Sequence, residues 1–176
     1  MVLKPDVVDA ALNSLPNGTR KIYLSPRGKP LNQALLHELA GTAQVALLCG
    51  RYEGVDQRVI DAHELEEISL GDFVLAGGEV AAMALIEGVV RLLPGVLGNA
   101  NTVDEESFAA GLLEYPHYTK PAVWNGQDGP ETLLSGDKTK VKEWRLSQAK
   151  ELTAQRRPDL WPQYQALNTS AIKQKK

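Results

Sequence analysis

The sequence is poor in cysteine, since its 176 residues contain a single one, Cys49. One cysteine excludes an internal disulfide and a cysteine-rich zinc site, and this favours a protein of the reducing cytoplasm. Long apolar runs are also absent, because no stretch approaches the roughly 20 residues that cross a bilayer. The first residues lack the basic and continuous apolar segments of an export signal. The sequence therefore predicts a soluble cytoplasmic protein without a membrane partner.

The sequence also has no large excess of charge of one sign. Its formal net charge of -3 argues mildly against RNA binding, because affinity for phosphates depends on clustered Lys and Arg. Basic residues are nevertheless concentrated late in the chain, at Lys138, Lys140, Lys142, Arg145, Lys150, Arg156 and Arg157. Considered alone, this cluster is most simply the solvated face of a helix.

Strand-like and helix-like segments alternate in the first half of the chain. Residues 21–24, 45–49 and 68–75 have the apolar and β-branched composition of strands, and 45–49 is predicted to be buried on both faces. The segments 31–39 and 55–62 have the apolar spacing of helices. Helical crossovers between strands imply parallel pairing. The predicted fold class is therefore α/β with a parallel sheet.

Proline and glycine mark the boundaries of these segments. Pro26 cannot donate to a strand ladder, so the first strand is predicted to end at 25–28. Residues 80–93 are apolar almost all round until Pro94, which predicts a helix buried against the sheet or against a partner.

The composition changes after this helix. Residues 95–130 are rich in Gly, Pro, Asn, Asp and Glu, which indicates a linker, and helical spacing returns from about residue 140. The predicted organisation is an α/β domain at 1–98, a linker at 99–130 and a small helical domain at 131–176.

Three loops are predicted to meet at the carboxyl edge of the sheet, at 23–26, 50–54 and 69–79. Open α/β sheets bind ligands at this edge. The glycines would let the backbone approach a flat ligand closely, and Tyr23 and Tyr52 would offer apolar walls. The spacing lacks the G-x-G-x-x-G motif of a dinucleotide site. Each loop alone is most simply a turn, but the coincidence of three favours a pocket.

Several strings of the chain resemble successive signatures of one enzyme family: YLSPRGKPLNQ, LLCGRYEGVDQRV, ISLGDFVLAGGE, RLLPGVLGN and GLLEYPHYTKP. Over nearly its whole length the chain resembles the bacterial tRNA (guanine-N1)-methyltransferases. The resemblance implies a SPOUT fold, in which the sheet is threaded into a trefoil knot that binds S-adenosylmethionine in a bent form. It further implies a homodimer with its active site between the subunits, and methyl transfer to N1 of the guanosine 3′ of the tRNA anticodon.

The resemblance also implies the residues that bind the cofactor. They are Tyr23, Leu24, Ser25, Pro26, Gly50, Tyr52, Glu53, Gly54, Leu70, Gly71, Asp72, Phe73, Val74, Leu75, Gly77 and Gly78. Glu53 is expected either to face the sulfonium or a metal ion, or to be a surface carboxylate in a turn. No metal ligands are assigned, and the participation of Mg²⁺ stays open.

Two further residues are implied for catalysis. Arg91 matches an arginine that the family needs, which would hold the guanine oxygen or a phosphate; a helix-terminal cation favoured by the dipole is the alternative. Methylation at N1 requires a base, because N1 carries a proton in the ordinary form of guanine. The family uses an aspartate before Ser-Phe, and Glu106 stands at that place in this chain. Asp104 is the alternative base, and a solvated helix start is the alternative to a catalytic role.

The resemblance assigns tRNA contacts to the later part of the chain. Aromatic and basic residues suit stacking on unpaired bases and contact with phosphates. The residues expected to contact RNA are Arg51, His117, Tyr118, Lys120, Arg145, Arg156 and Arg157. His117 by itself would more often be structural.

The resemblance begins partway along the family's sequence. The family's first strand, first helix and a glycine-rich loop are therefore expected to be absent from this chain. This departure keeps a second hypothesis open, in which the chain binds S-adenosylmethionine or tRNA without turnover. A third and weaker hypothesis is a generic nucleotide-binding α/β domain.

Overall fold

The computed structural model describes residues 1–97 and 106–174, and for 168–174 it describes only the helical backbone. The chain divides into two compact units, Met1–Gly98 and Asn99–Lys176. Within the described residues, no helix is long and apolar enough to cross a membrane.

The first unit is a parallel sheet with helices on both faces. Its elements are α1 (Pro5–Asn13), β1 (Arg20–Pro30), α2 (Gln33–Ala40), β2 (Val45–Cys49), α3 (Gln57–Ala62), β3 (Glu66–Ser69) and α4 (Glu79–Val90). The strands pair in the order β2-β1-β3, and both pairings are parallel. The predicted α/β class with a parallel sheet is therefore confirmed.

Alternating side chains of β1 build a core on each face of the sheet. Ile22 and Leu24 pack in a cluster with Leu39 of α2 and Leu85 of α4. Tyr23 lies in a second cluster with residues of α1 and α3. Successive side chains of a strand point to opposite faces, so one central strand supplies both cores.

The first strand is longer than predicted. It continues past 25–28 to Pro30, with a shift of register between Leu24 and Lys29. The residues within this irregularity lie outside the ladder. Because Pro26 is one of them, its lack of an N–H costs the sheet no hydrogen bond. Pro26 therefore lies in an interruption of the ladder and not at the end of the strand.

The other two strands also differ from the prediction. The prediction that 45–49 is buried on both faces is wrong, because β2 lies at an edge of the sheet and all its residues are only partly buried. The third strand ends at Ser69 and leaves 70–75 as a loop. The Ser69 hydroxyl accepts from the N–H of Gly71 and donates to its carbonyl, which turns the chain away from the sheet.

Helix α4 is buried on one face only. Ala81, Ala82 and Leu85 join the core, whereas Val80, Met83, Ile86 and Val90 are exposed by 40–69%. The predicted burial against the sheet is confirmed for this face, and a partner on the other face stays a prediction.

The second unit combines a short hairpin with helices. Its elements are β4 (Val123–Trp124), β5 (Gln127–Asp128), α5 (Glu131–Leu134), α6 (Lys138–Arg156), a 3₁₀ turn (Pro158–Leu160) and α7 (Trp161–Gln174). The carboxylate of Asp137 caps α6 by accepting from the N–H groups of Thr139 and Lys140. Pro158 then separates α6 from α7.

Candidate active site

A cavity of about 390 Å³ lies at the carboxyl ends of β2 and β3 and beside the irregular part of β1 between Leu24 and Lys29. Its volume falls in the range of small-ligand pockets. The residues that line it include almost all of those predicted for the cofactor, namely Tyr23, Leu24, Ser25, Pro26, Gly50, Tyr52, Glu53, Gly54, Leu70, Gly71, Phe73, Val74, Leu75, Gly77 and Gly78. Asp72, also predicted, is exposed and does not line the cavity.

The backbone of two glycine loops forms one wall of this cavity. The N–H of Gly78 donates to the carbonyl of Gly50 at 3.1 Å, and Gly77 forms an isolated antiparallel bridge with Arg51. A Cβ atom on Gly78 would lie 2.8 Å from the Cα of Cys49, too close for any side chain. The loops meet only because glycine permits this approach.

Two tyrosines, Tyr23 and Tyr52, line the cavity. Tyr23 is buried, and burial raises the pKa of its phenol, so it is a neutral wall at physiological pH. Tyr52 is 66% exposed and adopts a φ of 58° in a turn closed by the N–H of Gly54 and the carbonyl of Arg51. Positive φ is strained for a bulky residue, and such strained residues cluster at functional sites.

An ion pair crosses the same loops. The Nε of Arg51 donates to a carboxylate oxygen of Glu79 at 2.7 Å. The pKa of Glu79 is lowered, first by a hydrogen bond from its own backbone N–H and then by Arg51. Arg51, which the resemblance assigns to RNA contact, lines the cavity and has a carboxylate partner, and its contact with RNA stays a prediction.

Some residues that line the cavity were not among those predicted to bind the cofactor. They are Arg27, Val55, Ile68, Ser69, Ala76 and Ala81. Of these, Ser69 and Ala76 belong to the predicted loop 69–79. Arg27 directly follows Pro26 in the first loop, and this position was a usable signal. Ile68 and Ala81 belong to the core as well as to the cavity wall, and their apolar character gave no sign of the second role.

Glu53 is a surface carboxylate in this structure. Its side chain is 74% exposed and lies 2.5 Å from the amino group of Met1, whose hydrogen bond lowers the pKa of the carboxyl. In residues 1–97 and 106–174, no group of three or more His, Cys, Asp or Glu side chains is placed to hold a metal ion. The described donors thus do not form a metal cage.

The two residues implied for catalysis lie outside this cavity. Arg91 follows the last turn of α4 and is half-buried. Glu106 lies in the second unit and is half-buried at the start of the loop 106–114. The alternative base, Asp104, lies outside the described residues.

The residues predicted to contact RNA in the second unit lie near aromatic rings and acids. The guanidinium of Arg145 stacks over the ring of Tyr115 at 4.7 Å, and Tyr118 contacts Trp144 edge to face at 6.1 Å between ring centroids. His117 Nε2 lies 3.0 Å from a carboxylate oxygen of Glu114.

The other three of these predicted RNA contacts are exposed. Lys120 and Arg156 are exposed, and Arg157 is paired with Asp159 at 2.6 Å. An exposed ion pair of this kind has little net stability, so Asp159 competes only weakly with another anion for Arg157.

Comparison with known proteins places the chain in a family. Residues 1–163 match the family model of tRNA (Guanine-1)-methyltransferase TrmD. The chain is 56% identical over 170 residues to the tRNA (guanine-N(1)-)-methyltransferase of Ruegeria pomeroyi, with 94% of the chain and 70% of the relative covered. It is 56% identical over 171 residues to that of Rhodospirillum rubrum, with 97% and 72% covered. The chain belongs to the tRNA (guanine-1)-methyltransferase family.

Proposed function

We propose that the chain transfers a methyl group from S-adenosylmethionine to N1 of the guanosine 3′ of the anticodon in tRNA. Family membership supports methyl transfer to tRNA. The observation that carries the proposal for this chain is the cavity at the carboxyl ends of the strands, with its glycine loops and apolar walls. Because tRNA is a cytoplasmic substrate, we place the activity in the cytoplasm.

The cavity fits the methyl donor in size and in chemistry. Its volume of about 390 Å³ suits a ligand of this size class, and the glycines expose backbone groups to a flat purine. S-adenosylmethionine, when bound, supplies an electrophilic methyl group on a positively charged sulfur. Leu24, Leu70 and Leu75 would exclude water from that group, and the neutral phenol of Tyr23 adds no charge.

Proton removal is the step assigned to Glu106. Its carboxylate accepts the proton of guanine N1, and the electron pair left on N1 forms the new bond to the methyl carbon. S-adenosylmethionine would supply that carbon and would keep the electron pair of its carbon–sulfur bond as it leaves as a neutral thioether. A guanidinium from Arg91 beside the guanine oxygen would stabilise the negative charge that develops there.

The proposed enzyme has a knotted backbone, binds tRNA through its second unit and forms a homodimer. Family membership supports a backbone threaded as a trefoil knot, and the exposed basic residues of the second unit support a role in binding tRNA. The exposed face of α4 supports a homodimer, because large apolar patches mark interaction surfaces. A Met83→Glu variant is then expected to elute as a monomer in size-exclusion chromatography with light scattering. A monomeric unmodified chain would oppose the dimer.

The function is tested by transfer of labelled methyl from S-adenosylmethionine to unmodified tRNA. The unmodified chain is compared with Glu106→Gln and with Asp104→Asn, which remove one carboxylate each. We expect only Glu106→Gln to lose transfer, by about 10²- to 10⁴-fold, as for the loss of a general base. Cofactor affinity, measured by calorimetry, should be equal in all three.

The outcomes separate the hypotheses. Loss of transfer in Asp104→Asn alone would move the base to Asp104. Cofactor binding without transfer by the unmodified chain would contradict the proposed function and favour a binding protein. Equal affinity for ATP and S-adenosylmethionine would favour a generic nucleotide-binding domain.

A further inference from the structure

The loop that carries Glu106 is tied to a helix far away in the sequence. Thr153 of α6 is completely buried, with an exposed fraction of 0%. Its hydroxyl accepts from the backbone N–H of Leu113 at 2.8 Å and donates to the carbonyl of Ala149 at 2.6 Å. Threonines within helices commonly make only the second of these bonds, to their own helix. The first bond links α6 to the loop 106–114.

Two more hydrogen bonds continue this link toward Glu106. The N–H of Glu114, the neighbour of Leu113, donates to the hydroxyl of Ser107 at 2.9 Å. The N–H of Phe108 donates to the carbonyl of Leu112 at 2.7 Å. The path therefore runs from Thr153 through the end of the loop to Ser107, which directly follows Glu106.

The backbone of the loop is strained and needs such support. Phe108 has a φ of 76°, which is rare for a bulky residue. Its side chain is 42% exposed, so burial of the ring does not account for this conformation. Gly111, with a φ of 73°, packs so closely on α7 that a Cβ atom would lie 3.0 Å from the N of Tyr164. Strained backbone persists where surrounding contacts impose it.

We propose that Thr153 is a positioning residue for methyl transfer, whose hydroxyl fixes the loop 106–114 and with it the carboxylate of Glu106. The inference rests on the proposed function, in which Glu106 removes the N1 proton. A base acts only within hydrogen-bond reach of its proton. Loss of the hydroxyl would leave the N–H of Leu113 without its acceptor, and the loop would relax.

Two variants separate the hydroxyl from the shape of the side chain. Thr153→Val keeps the shape and removes the hydroxyl, whereas Thr153→Ser keeps the hydroxyl and removes a methyl group. We expect Thr153→Val to lower kcat about 10- to 100-fold, the scale expected when a catalytic group is misplaced by about 1 Å. The KM for S-adenosylmethionine should not change, and Thr153→Ser should keep a kcat close to that of the unmodified chain.

Amide hydrogen exchange gives a readout that does not depend on activity. Exchange in 106–114 should become faster in Thr153→Val and stay slow in Thr153→Ser, while the amides of α6 stay protected in both. Ser107→Ala, which removes the second side-chain acceptor of the same loop, should resemble Thr153→Val. A loss of protection along the whole of α6 in Thr153→Val would instead mean general unfolding and would overturn the inference.

The remaining outcomes distinguish this inference from the proposed function. If the unmodified chain is active and Thr153→Val has the same kcat, positioning by Thr153 is wrong and the function stands. Equal losses of kcat in Thr153→Val and Thr153→Ser would show that the hydroxyl is not responsible. An unmodified chain that transfers no methyl group contradicts the function itself, and the role of Thr153 in catalysis is then rejected with it.

Discussion

The amino end of the parallel sheet is closed by charged side chains, whereas its carboxyl end is kept open by glycine loops. At the amino end, Arg20 bonds Glu38 at 2.6 Å and Glu66 at 2.7 Å, and Lys29 approaches Glu66 to 2.5 Å. At the carboxyl end, backbone groups of Gly50 and Gly78 meet beside the cavity.

The two ends of the sheet therefore have different roles: the amino end contributes to stability, and the carboxyl end to ligand binding. Arg20 and Glu66 are each only about one-fifth exposed, so their ion pair is screened less by water than a surface pair. At the other end, the loops offer backbone N–H and C=O groups to a ligand. Binding through these groups requires no flexible side chain to be ordered. We therefore expect changes at the two ends to affect different measurements.

The largest expected effect comes from Gly78→Ala at the carboxyl end. The new Cβ would lie 2.8 Å from the Cα of Cys49 and 3.2 Å from the N of Gly50, so the two loops must separate. We expect affinity for S-adenosylmethionine, measured by calorimetry, to fall about 100-fold, or about 2.7 kcal/mol. Gly41→Ala is the control, because its φ of −86° and nearest contact of 3.5 Å admit a methyl group. Equal affinities in the two variants would refute this account of the loops.

The second effect comes from Glu66→Gln at the amino end. Burial opposes ionisation of Glu66, but hydrogen bonds from Lys29 and Arg20 outweigh it and lower the pKa of the carboxyl. We expect the substitution to lower the free energy of unfolding at pH 7 by about 1–2 kcal/mol, measured in urea, with little change in cofactor affinity.

The pH dependence of this effect has a defined sign. Because the folded pKa of Glu66 lies below the unfolded value, near 4.3, its stabilisation is present above about pH 4.3 and is lost as the pH falls through the folded pKa. The difference between Glu66→Gln and the unmodified chain should therefore shrink in acid. Glu64→Gln, at an exposed carboxylate nearby, is the control. A difference that stays constant into acid would contradict the role of the ion pairs.

The smallest effect is expected from the ion pair between Arg51 and Glu79 at the carboxyl end. Arg51 and Glu79 are each about half exposed, and exposed pairs are weak and screened by salt. We expect Glu79→Gln to weaken cofactor binding by less than about fivefold, and less still in high salt. Adding Arg51→Gln should then cause little further loss, because the partner is already gone. Independent, additive losses would show that the two residues act separately.

The sequence predicted the order of the helices and strands, but it did not predict where the strands begin and end. Apolar spacing located α2 and α3, and the apolar stretch before Pro94 located α4, because side-chain periodicity depends on local geometry. The sequence placed the end of the first strand at the segment containing Pro26, whereas the ladder resumes beyond it. Whether a proline ends a strand or lies in an interruption of its ladder depends on the neighbouring strand, which local sequence does not reveal.

The candidate site was predictable in its loops and less so in its side-chain pairs. The loops at the carboxyl ends were located because parallel strands bring their ends to one edge of a sheet. The pairing of Arg51 with Glu79, 28 residues apart, was not foreseen, and the sequence assigned Arg51 to RNA. The link from Thr153 to Leu113 spans 40 residues and left no signal in either segment.

The sequence by itself determined the class of fold, the positions of the cavity loops and the family to which the chain belongs. These properties follow from periodicity, from glycine and from motifs that are contiguous along the chain. Only the tertiary structure decided that β1 lies at the centre, that β2 lies at an edge and that Thr153 supports the loop of Glu106. Such facts depend on contacts between distant residues, because each buried polar group takes whichever partner the fold brings within reach.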